Sequence, residues 1–253
     1  NSNISCAKKE ITLVDTVSFK GLVPNQKYEV TGTLMDKETK KPVEEDGKPV
    51  TAKASFKPKE SAGTVEVTFT FDASSLKGKT VVVFESLTYK DKEVAVHADL
   101  SDEGQTIYFP KIKTTATDAT SGTHYAKPEK ELTLTDLVEY ENLIPGKEYK
   151  LTGTLMDAET EKPFEVGGKA VTAETSFTPE ELSGSVELSF TFDASALSGK
   201  TLVAFETLSY EEHEVAVHAD IKDANQTIYF PEIKTTAKDG SDGDQDVSAS
   251  KEA

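Results

Sequence analysis

Apolar and polar residues alternate along most of this chain. In ITLVDTVSF, Ile11, Leu13, Asp15 and Val17 share one face of an extended strand. KYEVTGTLMD brings Tyr28, Val30, Gly32 and Leu34 together, and TVEVTFTFD does the same for Val65, Val67, Phe69 and Phe71. KTVVVFESLTY is apolar almost without a break, the pattern of a strand covered on both sides. EVAVHADL and QTIYFPKI complete the set. Val23-Pro24-Asn25, Asp46-Gly47, Lys77-Gly78 and Glu103-Gly104 mark turns between the runs. No window of a dozen residues carries a 3.6-residue apolar period, and residues 72–76 fit one helical turn. About seven short strands per ~120 residues predict an all-β, Ig-like antiparallel sandwich.

The pattern occurs twice. Residues 11–116 align with 132–237 at an offset of 121 without a gap, and 64 of the 106 pairs are identical. TGTLMD stands at 31–36 and 152–157, EVAVHAD at 93–99 and 214–220, and QTIYFP at 105–110 and 226–231. A period of this length is that of a self-sufficient domain, not of a solenoid unit that leans on its neighbours. The expected organisation is two tandem sandwiches, residues 1–110 and 111–232. Residues 233–253 then open a following module or form a disordered tail rich in Gly, Ser and Asp. Phe109-Pro110-Lys111-Ile112 contains no Gly/Ser linker, so a stiff joint is expected.

Composition narrows the function. The 28 basic and 45 acidic residues of the 253 give a net charge of −17, unsuited to a nucleic-acid binder, which needs a basic face. The acidic balance also disfavours anionic membranes. No apolar run reaches the ~18 residues of a membrane span, and the start carries no signal-peptide pattern, as in an interior piece of a longer protein. One cysteine, Cys6, excludes an internal disulfide and a multi-Cys metal site. The histidines, His97, His124, His213 and His218, lack zinc-site spacing, and no phosphate loop or Gly-x-Ser-x-Gly occurs. No cofactor and no metal are expected. Met35 and Met156 occupy equivalent positions and read most simply as core.

One constellation is left. Each copy has a Glu within an apolar strand (Glu85, Glu206), then a His (His97, His218), an Asp five residues on (Asp102, Asp223) and a Gln three further (Gln105, Gln226). A carboxyl in such a strand is destabilising unless paired or protonated. The residue types alone fit a structural hydrogen-bond network as well as a reactive site.

The modules resemble the VaFE-repeat, or ester-bond, domains of Gram-positive surface adhesins. The resemblance is carried by Val203-Ala204-Phe205-Glu206 (Val82-Val83-Phe84-Glu85 in the first copy) and by Asp15-Thr16-Val17 followed by Leu22-Val23-Pro24. It extends to the TGTLMD hexamer, His-x-Asp-x-x-Asp-x-x-Gln-Thr and Ile-Lys-Thr-Thr-Ala. It implies an intramolecular ester, made without a helper enzyme, between a Thr of the first strand and a Gln of the last. Module two then offers Gln226 as electrophile, with Glu206, His218 and Asp223 as acid–base groups, and Thr114 or Thr115 as nucleophile. Strand alternation with Ile112 favours Thr114. Proton removal from Thr by His218 or a carboxylate, and polarisation of the amide by a protonated acid of a Glu206/Asp223 pair, are the expected chemistry.

In module one the corresponding residues are Glu85, His97, Asp102 and Gln105, and counting back 121 from Thr114 falls before residue 1. Either Gln105 has no partner within this chain, or Thr235 of another chain completes the module by strand addition, or residues 3–7 supply a shortened strand. Expected partners are therefore neighbouring modules of the same surface protein and, in trans, the 233–237 segment of another copy. The role implied is an extracellular, cell-wall-attached shaft module rather than a turnover enzyme. The rivals are a carbohydrate- or matrix-binding sandwich, with Tyr125 as a candidate contact, and a hydrolase using His218 and Asp223.

Overall fold

The computed structural model describes residues 3–238 and Gln245. Residues 239–244 and 246–253, most of the expected tail, lie outside the described residues. Module one contains β1 (Ile11–Lys20), β2 (Tyr28–Asp36), β3 (Thr51–Phe56), β4 (Ala62–Phe71), β5 (Thr80–Tyr89), β6 (Lys92–His97) and β7 (Thr106–Tyr108). Module two contains β8 (Lys111–Asp118), β9 (Leu132–Glu141), β10 (Tyr149–Asp157), β11 (Thr172–Phe177), β12 (Gly184–Phe192), β13 (Thr201–Tyr210), β14 (His213–His218) and β15 (Thr227–Tyr229). Two-residue hairpins decorate both. Single 3₁₀ turns occur at Ser74–Leu76, Glu103–Gln105 and Ala224–Gln226. The expected all-β, two-sandwich architecture is the one observed.

In each module two antiparallel sheets face each other. In module two the larger sheet runs β11-β10-β13-β14, with β15 also on β13, and the smaller runs β8-β9-β12. In module one the larger sheet is β3-β2-β5-β6, with β7 on β5, and the smaller is β1-β4. Each sheet turns one face inward, so the period of two in the sequence becomes a period of two in burial: β2 alternates buried and half-buried residues over its whole length. Val81, Val82 and Val83 are all buried, as a strand covered on both faces requires.

The glycine in TGTLMD has a packing reason. A Cβ on Gly32 would come within 2.5 Å of the Phe69 ring, and one on Gly153 would overlap Phe190 and Leu188. The facing sheet therefore approaches the backbone itself at this point. Gly153 is also the register partner of Glu206, so this close approach lies beside the buried carboxyl. Met35 and Met156 are half-buried, not core: they alternate with buried Leu34 and Leu155 and sit against Pro42 and Pro163.

The modules differ at one edge. In module two, β8 pairs with β9 over eight residues and covers β14. In module one, among the described residues, β1 pairs with β4 alone. Residues 3–7 do not substitute for the strand. Ile4 bridges Tyr108 in parallel as Tyr125 bridges Tyr229 in module two, so this segment matches 124–128, beyond the first strand. The two edges differ in exposure. Val215 is 2 % exposed, and its counterpart Val94 is 51 % exposed. Burying a valine side chain fully is worth roughly 1.5–3 kcal/mol, so the cover that β8 gives Val215 stabilises module two by about that much.

At the joint, the chain passes from β7 to β8 through buried Phe109 and Pro110. Asn142, just after β9, reaches back into module one. Its Nδ2 donates to the carbonyls of Lys79 (2.6 Å) and Phe109 (3.3 Å), and its Oδ1 accepts from the Thr80 hydroxyl (2.8 Å). The Cys6 thiol meets Glu214 across the same junction at 3.7 Å.

Candidate functional site

In module two, four polar side chains meet between the sheets. Thr114 and Asp136 point inward from β8 and β9, Glu206 points inward from β13, and Gln226 enters from the 3₁₀ turn before β15. Each is at most 1 % exposed. Alternation places Thr114 inward with Ile112 and Ala116, and leaves Thr115 half-buried on the other face. The Thr114 hydroxyl donates to Glu206 Oε2 at 3.1 Å, and Gln226 Nε2 donates to Asp136 Oδ1 at 3.3 Å.

The two carboxyls interact with each other. As carboxylates both are acceptors, and Glu206 Oε1 and Asp136 Oδ2 are buried with no partner among the described residues. One shared proton turns them into donor and acceptor. Burial first, then the Asp136 charge and the hydrogen bond to Asp136, push Glu206 up to about 10. Burial raises Asp136 to about 6, while the hydrogen bond from Glu206 and the nearby His218 work the other way. In neutral solution the pair therefore holds one proton, on the glutamate side.

The polar groups form one line. Thr114 O–H leads to Glu206, Glu206 to Asp136, and Asp136 to the amide nitrogen of Gln226. The remaining atom of that amide, Gln226 Oε1, is buried without a donor among the described residues. His218 is the cross-strand register partner of Glu206, and its Nε2 lies 2.8 Å from Asp223 Oδ2. Asp223 also accepts from the Asn225 amide, capping the turn that carries Gln226. Asp223 is thus the partner of His218, and Asp136 is the partner of Glu206.

Module one repeats the carboxyl pair. Glu85 is 5 % exposed and raised to about 9, by burial first and then by Asp15, and Glu85 Oε1 and Asp15 Oδ2 are likewise orphaned. His97 and Asp102 meet at 2.9 Å but are far more open than their counterparts. Gln105 is only half-buried, against 0 % exposure for Gln226. Thr235 lies on an exposed segment outside any strand. Tyr125 is an exposed ring packed at a tilt against Tyr229. No cluster of metal-ligating side chains occurs among the described residues.

Asp136 is a candidate that the motifs do not single out, although its counterpart Asp15 falls on the otherwise apolar face of Ile11, Leu13 and Val17. The glutamines were read into the last strand; both instead end 3₁₀ turns, a difference signalled by the Asp three residues earlier, which caps the turn.

A family model described as the T-Q ester bond containing domain matches residues 1–109 and again 110–230. The chain belongs to this family. The T-Q ester bond domains occur here as a tandem pair, with the carboxyl pair in both. No curated protein matches the chain. Among solved structures, a bacterial adhesin from Mobiluncus mulieris containing intramolecular disulfide, isopeptide and ester bond cross-links is similar at 19 % identity and TM-score 0.41. That match covers 49 % of this chain and 57 % of that one. A glycosyl hydrolase family 2 member from Bacteroides cellulosilyticus is similar at 8 % identity and TM-score 0.35, covering 85 % of this chain and 27 % of that one. The chain thus spans little more than half the length of the first and about a quarter of the second. No described helix is long and apolar enough to cross a membrane.

Proposed function

We propose that module two forms an intramolecular ester between Thr114 and Gln226, and that the tandem pair serves as load-bearing shaft of a cell-wall-attached bacterial surface adhesin. The observation that carries this reading is the carboxyl pair Glu206–Asp136, which bridges the nucleophile to the leaving group. The Thr114 hydroxyl gives its proton to Glu206 Oε2 as its oxygen attacks Cδ of Gln226. Glu206 passes its own proton to Asp136, and Asp136 delivers one to Nε2. The Cδ–Nε2 bond breaks, ammonia leaves, and the ester remains; the protons balance without an outside acid or base. His218, held by Asp223, lies beside the pair and stabilises the Asp136 carboxylate.

The site is dry, which strengthens each electrostatic contact and shields the ester from hydrolysis. Two sheets hold the partners, so a high effective molarity replaces a helper enzyme. The reaction runs once, because the nucleophile stays bonded. The link closes a loop from residue 114 to 226, worth ~4–5 kcal/mol by analogy with a disulfide of that span. It ties the first strand of the module, on one sheet, to the turn that leads into the last strand, on the other. Tension entering at β8 then leaves near β15 through a covalent bond.

In this reading module one spans 1–110, module two 111–232, and residue 233 opens a following module. Neighbouring modules are partners, and the 233–237 segment of another chain is a partner for module one. The test is intact mass of the folded protein. A deficit of one ammonia, abolished by Thr114→Ala and by Gln226→Ala, is expected; full theoretical mass overturns the reading.

A further inference from the structure

We infer that the joint between the modules holds a binding site for a sulfated oligosaccharide, carried by Lys8, Lys77, Lys111 and Lys113. The site shares one wall residue, His218, with the ester centre and needs none of its chemistry.

A cavity of about 600 Å³ opens where the chain passes from module one into β8. Small-molecule sites usually measure roughly 300–1,000 Å³. Module one supplies one wall through Cys6, Lys8 and Lys77. Module two supplies the other, through β8 at Lys111 and Lys113 and through β14 at Glu214. The floor between them is apolar, with Pro110, Ile112 and Ala216, and no Phe or Tyr lines the cavity. The hydrogen bonds of Asn142 to module one hold the two walls in place. A ligand therefore meets a site already formed, which lowers the entropic cost of binding.

The cavity reverses the charge of the molecule around it. The chain carries a net charge of −17, yet four lysines and a single acid line this one space. The acid, Glu214, is engaged by the Cys6 thiol at 3.7 Å. Lys111 is paired with Glu141 at 2.9 Å. Lys8, Lys77 and Lys113 have no ion-pair partner among the described residues. The thiol registers the field: burial first, then Glu214, push it up, while Lys8 and Lys77 work the other way. Like charges gathered without a counter-charge repel one another, so an anion in the cavity is stabilising.

The sandwich itself does not require these lysines. At the repeat offset of 121, Lys8, Lys77 and Lys111 correspond to Glu129, Ser198 and Glu232, and only Lys113 recurs, as Lys234. The backbone is the same with either residue. The Lys8 carbonyl accepts from the Ala73 amide at 3.0 Å, and the Glu129 carbonyl accepts from the Ala194 amide at 2.9 Å. The basic character thus belongs to the joint and not to the fold.

The arrangement also limits the ligand. Lysine is a point charge without the planar fork that grips one carboxylate or phosphate, and the chain contains no arginine. Point charges on two facing walls match an extended ligand with several anionic groups. The apolar floor calls for an uncharged carbon frame between those groups. A sulfated oligosaccharide meets both demands, with sulfates for the lysines and the C–H faces of its rings for the floor. Single-stranded nucleic acid would need aromatic rings to stack on, and the cavity offers no Phe or Tyr.

The test titrates the full-length protein with a sulfated tetrasaccharide cut from heparin, read by calorimetry and by the alkylation rate of Cys6, the single thiol. Binding is expected, with alkylation slowed about fivefold or more at saturation as the thiol is covered. Affinity is expected to fall about tenfold or more between roughly 50 and 200 mM salt. The double variant Lys8→Glu/Lys77→Ser carries the residues that module two has at the same places, so it is compatible with the fold. It is expected to weaken binding about tenfold or more, since two cations are lost and one is reversed. Lys169→Ser, on an exposed hairpin outside the cavity, leaves binding unchanged. Absence of binding, or binding that the double variant does not weaken, overturns the inference. An equal loss with Lys169→Ser reduces the effect to diffuse charge and overturns it as well. Inorganic sulfate or a DNA oligomer of equal charge that binds as tightly overturns the oligosaccharide as ligand. An unsulfated, carboxylate-bearing tetrasaccharide that does so overturns the sulfate.

Discussion

Among the described residues, modules one and two share a fold, a carboxyl pair and a glutamine, and module two alone shows the strand β8. Where β8 is present, Gln226 is sealed, Val215 is buried and the carboxyl pair has a hydroxyl on one side and an amide on the other. Among the described residues of module one, Glu85 is buried beside a half-buried Asp15, Val94 is exposed and Gln105 is half-open. The buried carboxyl pair therefore belongs to the sandwich itself. In the proposed ester chemistry the first strand would supply the nucleophile, and in module two it covers the pair. A buried carboxyl pair that destabilises an unlinked module is tolerable if the same pair makes the bond that secures a complete one.

The strongest way to collapse this contrast is Thr114→Ala. It leaves β8 in place and removes only the hydroxyl. The wild-type protein is expected to unfold in two calorimetric transitions, the upper one from module two. The substitution restores one ammonia of mass and costs module two ~4–5 kcal/mol. That lowers the upper transition by roughly 15–30 °C, toward the lower one. If the transitions stay apart, the strand and not the bond accounts for the difference.

A smaller change separates apparatus from nucleophile. Asp136→Asn keeps the shape of the side chain but removes the group that takes the proton from Glu206. Ester formation after refolding, followed as ammonia loss over time, is expected to slow by about 10²–10⁴-fold. Asp15→Asn, the same change in module one, leaves that rate untouched.

The pair also sets a pH dependence. Asp136 must be ionised to accept a proton, so the rate rises about tenfold per pH unit up to about 6. Glu206 must be protonated to pass one on, so the rate falls again above about 10. Stability of the unlinked Thr114→Ala module has a different profile. Both carboxyls are raised on folding, so the folded state holds protons that the unfolded state has released. Their contribution is complete below the ordinary carboxylate range and is lost as pH rises through these values. A flat rate profile between pH 5 and 7 would remove Asp136 from the proton path.

The residues explain how far sequence reasoning reaches here. Period-two alternation is a local property, and it placed Ile112, Thr114 and Ala116 on one face and Val65, Val67 and Phe69 on another. Contacts between facing sheets have no period. Thr114 meets Glu206 across 92 positions and Gln226 meets Asp136 across 90. Alternation turns Asp136 inward but does not say which carboxyl awaits it, so Glu206 was matched with Asp223, its neighbour in the motif. Asn142 was invisible for another reason. Its counterpart in the repeat is Gly21, both with positive φ (65° and 84°), and the position reads simply as a turn. Only the joint gives the side chain something to hold.

That joint supports the finest test of the comparison. Because φ at Asn142 suits glycine, Asn142→Gly removes the side chain without straining the turn, and makes module two identical to module one at this site. It deletes the bonds to the carbonyls of Lys79 and Phe109 and leaves the Thr80 hydroxyl without its acceptor. All three groups belong to module one, so the expected loss of about 1–2 kcal/mol appears in the lower transition, while the mass deficit of module two is unchanged. Thr80→Val combined with Asn142→Gly should cost less than the two changes added together, since both break one contact. If the lower transition does not move, the modules are coupled only through Phe109-Pro110. Tension would then pass along the chain as through beads on a string, and the shaft's stiffness would have to come from the sandwiches alone.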